Sequence, residues 1–257
     1  MLKNGTAGDD EIIGGSGADR LYGKGGADEI KGRGGDDRLY GAAGEDELYG
    51  GDGNDRLYGG TQDDELDGGR GNDRFYGGDG NDEIDGGDGN DRAYGGNGND
   101  EIDADSGNDV LSGGSGRDAL DGGNCNDVID AGSGSDRLDG DLGADRLYGK
   151  AGNDRLEGGA GSDTLSGGSG SDIFVFGAFD DDDDDDDSPF YGGNDVITAF
   201  EHGKDQLDVP SYDYTLAQVF AGGVQQGDNV KFTLVPGDTV TIKDAELSDF
   251  TASDFLL

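Results

Sequence analysis

Aspartate recurs every nine residues, at Asp10, Asp19, Asp28, Asp37, Asp46, Asp55, Asp64, Asp73, Asp82, Asp91, Asp100, Asp109, Asp118, Asp127, Asp136, Asp145, Asp154, Asp163 and Asp172. Nineteen carboxylates in one register are a row of hard oxygen donors, and such donors suit hard cations. Nothing softer accompanies them. His202 is the sole histidine and Cys125 the sole thiol, so a zinc site of nitrogen and sulfur ligands is disfavoured. With acid everywhere, a catalytic carboxylate pair cannot be singled out. HExxH, GxSxG and Walker motifs are absent, and no catalytic residue is assigned.

Each aspartate is the sixth residue of a nonapeptide that repeats from Gly5 to Val175 without insertion or deletion. The pattern is G-G-x-G-x-D-x-U-x, with U apolar. Copy 1 is GTAGDDEII and copy 19 is GGSGSDIFV. The eighth position is apolar in all 19, from Ile12 and Leu21 to Phe174, with Ala93 the weakest. The fourth is glycine in 17, the exceptions being Gln62 and Cys125. Glycine permits positive φ and close backbone approach, so the first six residues read as a turn with inward carbonyls. The last three read out-in-out, a short strand with one buried side chain. Such a strand is stable only with similar strands stacked beside it.

The seventh position supplies the coil length. It reads Glu11, Arg20, Glu29, Arg38, Glu47, Arg56, Glu65, Arg74, Glu83, Arg92, Glu101, an alternation with period 18. One coil is therefore two nonapeptides, strand-turn-strand-turn, and copies n and n+2 stack in the same sheet. Even copies carry Arg20, Arg38, Arg56, Arg74 and Arg92 with Tyr22, Tyr40, Tyr58, Tyr76 and Tyr94 at the ninth position. Odd copies carry glutamate, with Asp67, Asp85 and Asp103 at the ninth. The coil should present one basic-aromatic face and one acidic face. The alternation fades at Val110 and Ala119 and partly returns at Arg146 and Tyr148.

Stacking brings each sixth-position aspartate within about 4.8 Å of its equivalent one coil away. Carboxylates that close repel unless a counter-ion lies between them. Together with turn carbonyls they make an all-oxygen cage, which fits calcium better than magnesium. On these residues the chain resembles the RTX, or haemolysin-type calcium-binding, family, whose nonapeptide is G-G-x-G-x-D-x-U-x; the likeness covers 5–175. The resemblance implies an all-β fold: a right-handed parallel β-roll, a solenoid of 18 residues per coil, closed by a small β-rich C-terminal cap. It also implies calcium shared between aspartates of successive same-side turns, such as Asp55 with Asp73, Asp64 with Asp82 and Asp73 with Asp91. Loops sharing ions two copies apart allow about 17 calcium ions, which would move the charge by about +34 to roughly −8. Gln62 and Cys125 stand where positive φ is expected, and Lys24, Arg33 and Lys150 replace glycine at the second position, so sites on these loops should be weak or empty.

After Phe176 the repeat stops. Asp180–Asp187 is a run of eight aspartates, read as an acidic loop. FYGGNDVITAFEHGKDQLDV resembles the segment closing RTX rolls in secreted proteases and alginate epimerases, through Asp195, Ile197, Phe200, Gly203, Asp205, Leu207 and Asp208. Val230–Leu234 and Thr239–Lys243 flank Pro236-Gly237-Asp238 and read as a hairpin; Thr215–Phe220 reads as a short helix. Ser253-Asp254-Phe255-Leu256-Leu257 is similar to the terminal signal of type I secretion substrates, and equally suits a terminal strand docked on the core. The expected organisation is a leader at 1–4, the roll at 5–175, an acidic loop at 176–189, and a capping and secretion-signal segment at 190–257.

Composition frames the function. The chain has 257 residues, a formal net charge of −42, 60 acidic against 18 basic residues, 56 glycines and 30% apolar residues. That composition alone reads as disorder, so folding needs something that neutralises acid. The charge excludes a nucleic-acid partner, which needs a basic footprint. No apolar stretch approaches the ~20 residues of a membrane span, and residues 1–10 contain no signal-peptide core. One cysteine excludes an internal disulfide framework. The expectation is a non-catalytic, monomeric module that folds on extracellular calcium and supports secretion through the type I machinery from a bacterial cell. The alternatives are a binding module for an anionic polysaccharide such as alginate, held on the Arg and Tyr ladders, and a C-terminal fragment of a secreted enzyme or adhesin.

Overall fold

A computed structural model describes residues 1–176, 193–209, 216–235 and 238–256. Among these residues the strands form a fourteen-stranded sheet, a twelve-stranded sheet and one short two-stranded pairing. Even copies build the first sheet and odd copies the second, so the chain crosses between sheets every nine residues. Neighbouring strands are parallel and offset by 18 residues: Arg56↔Arg74, Leu57↔Phe75 and Tyr58↔Tyr76 in one sheet, and Glu65↔Glu83↔Glu101 in the other. The molecule is the parallel β-roll expected from the period, nearly all β, with a single α-helix among the described residues at Leu216–Gly222 and two 3-10 turns at Leu247–Asp249 and Ala252–Asp254.

The core lies between the two sheets and is a column of eighth-position side chains. Leu21, Ile30, Leu39, Leu48, Leu57, Leu66 and Phe75 are fully buried. Burying each contributes roughly 1.5–3 kcal/mol. The seventh and ninth residues point outward, as the alternation demands.

The strands are longer than three residues in many copies. Arg56–Thr61, Glu65–Arg70 and Arg74–Asp79 each run six, through the first three positions of the next nonapeptide. The first-position glycine is the second inward point of such a strand. It carries no side chain because the aspartate of its own copy occupies that space: a Cβ on Gly50 would lie 2.5 Å from Asp55 Oδ2. The fourth-position glycine meets a different obstacle. A Cβ on Gly89, at φ +152°, would fall 1.6 Å from the Gly71 carbonyl oxygen of the preceding coil.

Ahead of the first nonapeptide, Leu2–Asn4 is itself a strand, paired in register with Arg20–Tyr22. At the other end both sheets continue beyond the repeat. Asn194–Ile197 adds to the even-copy sheet, followed by Asp238–Ile242, Asn229–Val235 and Gly223–Gln226. The last two pairings are antiparallel, so the two strands expected to form a hairpin do pair; residues 236 and 237 lie outside the described residues. Gln206–Asp208 and then Phe255–Leu256 extend the odd-copy sheet. Phe255–Leu256 is thus a docked terminal strand. Phe200, Phe232, Phe250 and Phe255 form an aromatic cluster over Phe174, the last apolar residue of the column; Phe174 and Phe200 ring centres are 6.0 Å apart. The eight-aspartate run lies outside the described residues.

Candidate metal centres

The turns at both edges of the roll carry the aspartate ladders. A turn must reverse the chain within a few residues, and the second and fourth positions do so with positive φ. Every non-glycine residue of the repeat with positive φ stands at one of these two positions: Lys24, Arg33, Ala42, Asp105, Asp141 and Lys150 at the second, Gln62 and Cys125 at the fourth. Gln62 at φ 77° and Cys125 at φ 85° hold the glycine conformation that the repeat requires there. Ala42, Asp105 and Asp141 are further departures at the second position.

From Asp19 to Asp172 every ladder aspartate is buried, none more than 4% exposed. The two carboxylate oxygens have different roles. Oδ1 accepts the backbone N–H of the equivalent aspartate one coil earlier: Asp37 N–H to Asp55 at 2.7 Å, Asp46 to Asp64 at 2.9 Å, Asp64 to Asp82 at 3.0 Å. Oδ2 is buried and has no hydrogen-bond donor in seventeen aspartates, from Asp28 through Asp172. The first two copies differ. Asp10 Oδ2 accepts from the Thr6 N–H and hydroxyl, and Asp19 Oδ2 from the Gly15 N–H. Asp19 Oδ1 is paired with the N-terminal ammonium.

An ionised carboxylate with one oxygen buried and undonated is strongly disfavoured. The protein registers this as raised proton affinity, with burial the leading cause. Asp55, Asp82, Asp100, Asp109, Asp118 and Asp154 are pushed up to about 6. Asp73, Asp91, Asp127, Asp145 and Asp163 reach about 7, and Asp64 about 8. Repulsion from ladder neighbours adds to the effect, as Asp46 and Asp82 do at Asp64.

The donor set fits a hard cation. Beside the carboxylates, fourth-position carbonyls form their own column: those of Gly53, Gly71 and Gly89 each face the α-carbon of the glycine one coil on. Among the described residues no three His, Cys, Asp or Glu side chains converge on one point. Side-chain carboxylates alone therefore do not complete a coordination shell, and further ligands of any ion would be other oxygens such as backbone carbonyls or water. His202 packs edge-on against Phe250, 4.5 Å between ring centres, within the cap.

The outer faces are as the 18-residue register requires. Tyr22, Tyr40, Tyr58, Tyr76 and Tyr94 stack in one column, with ring centres 4.6, 4.7, 4.8 and 5.3 Å apart and planes within 9°. Arg20, Arg38, Arg56, Arg74 and Arg92 are aligned beside them. At the edge of this face a groove of about 380 Å³ is lined by Arg56, Arg74 and Arg92, by Asn54, Asn72, Asn90 and Asn108, and by the ladder residues Asp55 and Asp91. The asparagines form a ladder that the sequence reading did not single out. Asn72, Asn90 and Asn108 each donate a backbone N–H to the Oδ1 of the asparagine one coil earlier. Their constant spacing at the fifth position was the available signal.

Comparison with the curated proteins finds no match. Among solved structures, the AlgE6R3 subunit of the mannuronan C5-epimerase of Azotobacter vinelandii is similar at 29% identity, over 52% of this chain and 78% of that one, with a TM-score of 0.40. The AlgE6R2 subunit of the same enzyme is similar at 28% identity, over 58% and 91%, with a TM-score of 0.35. The extracellular lipase LipA of Serratia marcescens aligns with the whole chain at 17% identity and a TM-score of 0.39; the chain spans 40% of the lipase. Eleven overlapping windows, from 4–30 to 148–183, match the RTX calcium-binding nonapeptide repeat and together cover 4–183 without a gap. With more than half its length so matched, the chain belongs to the RTX calcium-binding nonapeptide repeat family.

Proposed function

We propose that this chain is a calcium-switched folding module: unfolded where free calcium is scarce, compact once secreted into calcium, and a support for type I export. The observation that carries this reading is the row of seventeen buried Oδ2 atoms without donors. Neighbouring charges about 5 Å apart at an effective dielectric near 20 repel by on the order of 3 kcal/mol per pair. Repeated along two edges, that repulsion opposes the coil stacking that the apolar column favours. Bound calcium would supply the positive charge between coils, and its binding free energy would become folding free energy. Asp28 to Asp172 would provide the carboxylates, and the turn carbonyls the remaining protein donors. An unfolded chain suits passage through a narrow export channel, and folding outside would hinder its return.

Circular dichroism during calcium titration tests the reading, with chelator reversal and a magnesium control. Cooperative gain of β signal with calcium alone is the expected result. Equal order in excess EGTA would end it.

A second reading, binding of an anionic polysaccharide, is favoured by one observation. The Arg56–Arg74–Arg92 row borders a groove whose floor repeats at strand spacing, and guanidinium groups suit uronate carboxylates. Replacing Arg56 and Arg74 with Glu should abolish retention on alginate; unchanged retention, or none by the unaltered chain, excludes it. On either reading the module is non-catalytic and also suits the C-terminal part of a larger secreted enzyme or adhesin.

A further inference from the structure

The two outer faces of the roll carry opposite charges at one repeat. On the even-copy sheet the seventh and ninth positions hold Arg56 and Tyr58, Arg74 and Tyr76, Arg92 and Tyr94, and the register places each residue beside its like. On the odd-copy sheet the same positions hold Glu65 and Asp67, Glu83 and Asp85, Glu101 and Asp103, again like beside like. One face is therefore a double row of hydrogen-bond donors and the other a double row of carboxylates. Each row advances by one strand spacing, about 4.8 Å, per coil. Set face against face, every rung of one meets a rung of the other.

Neither face is neutralised from within the chain. Among the described residues the five arginines of the even face make no ion pair, and neither do these six carboxylates; pairs form elsewhere, as between Arg70 and Asp52 at 3.3 Å. The tyrosine rings stack with planes within 9°, so neighbours cover their faces and the hydroxyl edge is what remains for a partner. Tyr76 and Tyr94 are 38% and 39% exposed. Glu83, Asp85, Glu101 and Asp103 are exposed as well. Guanidinium and phenol both donate and both opposing rows accept, so pairing holds whichever row faces which.

We propose that a second copy of this chain seats its acidic face on the basic-aromatic face, so that folded rolls stack side by side. The contact joins two different faces of one molecule and is heterologous: each added roll leaves one face of each kind free, and the stack stays open instead of closing as a dimer. Like faces repel, which fixes the order of faces along the stack. Exposed pairs are screened, so each contact is weak and salt-sensitive. The formal charge of −42 opposes stacking, and calcium at the edges would lower it. Only the folded roll has two faces, and to that extent the inference rests on the calcium reading.

Sedimentation velocity of the full chain in calcium tests this, with dichroism as the check on folding. The unaltered chain should pass from single rolls to larger species between micromolar and millimolar concentration, and return to single rolls in about 1 M salt, where the Debye length is about 3 Å. Arg56→Glu, Arg74→Glu, Arg92→Glu makes both faces acidic. Glu65→Arg, Glu83→Arg, Glu101→Arg with Asp67→Asn, Asp85→Asn, Asp103→Asn makes both basic. Each variant alone should associate about tenfold more weakly, and an equal mixture of the two should recover the association. Single rolls at every concentration, the monomer expected from the sequence, overturn the inference. So does association that persists in the acidic variant, which calcium bridging like faces would give, or a mixture that stays apart while both variants fold. If a variant does not fold, the salt response of the unaltered chain decides, and stacks that survive about 1 M salt overturn the inference. No polysaccharide is added, so the outcome is separate from the alginate reading of the same arginines. Equal dichroism of the unaltered chain in calcium and in EGTA is the failure of the calcium reading alone.

Discussion

Asp55 and Asp73 are tied across one coil by a single oxygen: Asp73 Oδ1 accepts the Asp55 backbone N–H at 2.6 Å, while Asp73 Oδ2 is buried with no donor. Half of the carboxylate is structural and the other half is open to a ligand. An amide separates the halves, because Asn keeps one acceptor and removes the charge. Asp73→Asn should hold one or two fewer calcium ions by equilibrium dialysis, since each aspartate borders two gaps. In EGTA the same variant should be no less ordered than the unaltered chain, since a buried charge has gone. A variant that binds the full complement of calcium would show that Asp73 is not a ligand.

Proton and calcium compete for the same oxygens, so pH acts with opposite signs in the two conditions. The folded-state affinity of Asp64, near 8, and of Asp73 and Asp91, near 7, lies above the ordinary carboxylate value of 3.8. A raised acid favours the fold fully below its unfolded value and loses that contribution as pH rises through its folded value. Without calcium, compaction should therefore be greatest near pH 4 and fall between about pH 4 and 8. With calcium the midpoint concentration should rise as pH falls through the same window. Far-ultraviolet dichroism across pH, with and without EGTA, measures both slopes. The same slope in both conditions would contradict the shared-oxygen account.

The glycine positions differ in what a side chain would meet. At Gly98, φ +136°, a Cβ would fall 1.6 Å from the Gly80 carbonyl oxygen, so Gly98→Ala has to push two coils apart. Strain of this kind alone costs about 1–3 kcal/mol, and an opened gap adds weaker ion binding. Gln62, at φ 77°, runs the experiment in reverse. Gln62→Gly should stabilise the calcium form by about 1 kcal/mol, because only the left-handed strain is removed. Urea midpoints in calcium give both signs.

Regularity decided how much could be read in advance. Glu against Arg at the seventh position revealed an 18-residue coil, and the register Glu65↔Glu83, Arg56↔Arg74 follows it. The apolar eighth position located the core down to Ala93. What the repeat could not disclose was anything that depends on two coils at once. The six-residue strands run on because pairing with the next coil continues past the ninth position, as in Gly51↔Gly69 and Asp52↔Arg70. The split use of Oδ1 and Oδ2 needs the neighbouring coil in place. Asp195 and Asp205 accept the Asp163 and Asp172 N–H groups across 32 and 33 residues, where the spacing elsewhere is 18, so the nonapeptide period alone did not place them in the ladders. Ala42 carries positive φ only because the second position demands it, whereas Asp105 and Asp141 are of a type that visits this region more readily.

The apolar column supplies the last prediction. Phe75 and Ala93 are register partners on adjacent strands, and both are buried, at 0% and 2% exposure. From Ile12 to Leu165 the column otherwise runs on Leu and Ile, so one large and one small side chain stand side by side where two of middle size would. A Cβ on Gly68 would lie 2.6 Å from Phe75 Cζ, so the ring already fills the space up to the opposite sheet. Ala93→Leu alone should overpack the layer and destabilise it by about 1–3 kcal/mol. Phe75→Ala should open a cavity and cost about 3–5 kcal/mol. Combining Phe75→Leu with Ala93→Leu restores the number of side-chain carbons in the layer, and should recover part of the loss seen with Ala93→Leu. Denaturation in saturating calcium measures these variants, together with Phe75→Leu alone, against the unaltered chain. If the double change were additive with its parts, the two side chains would not share one layer, and the register of the roll at this coil would be wrong.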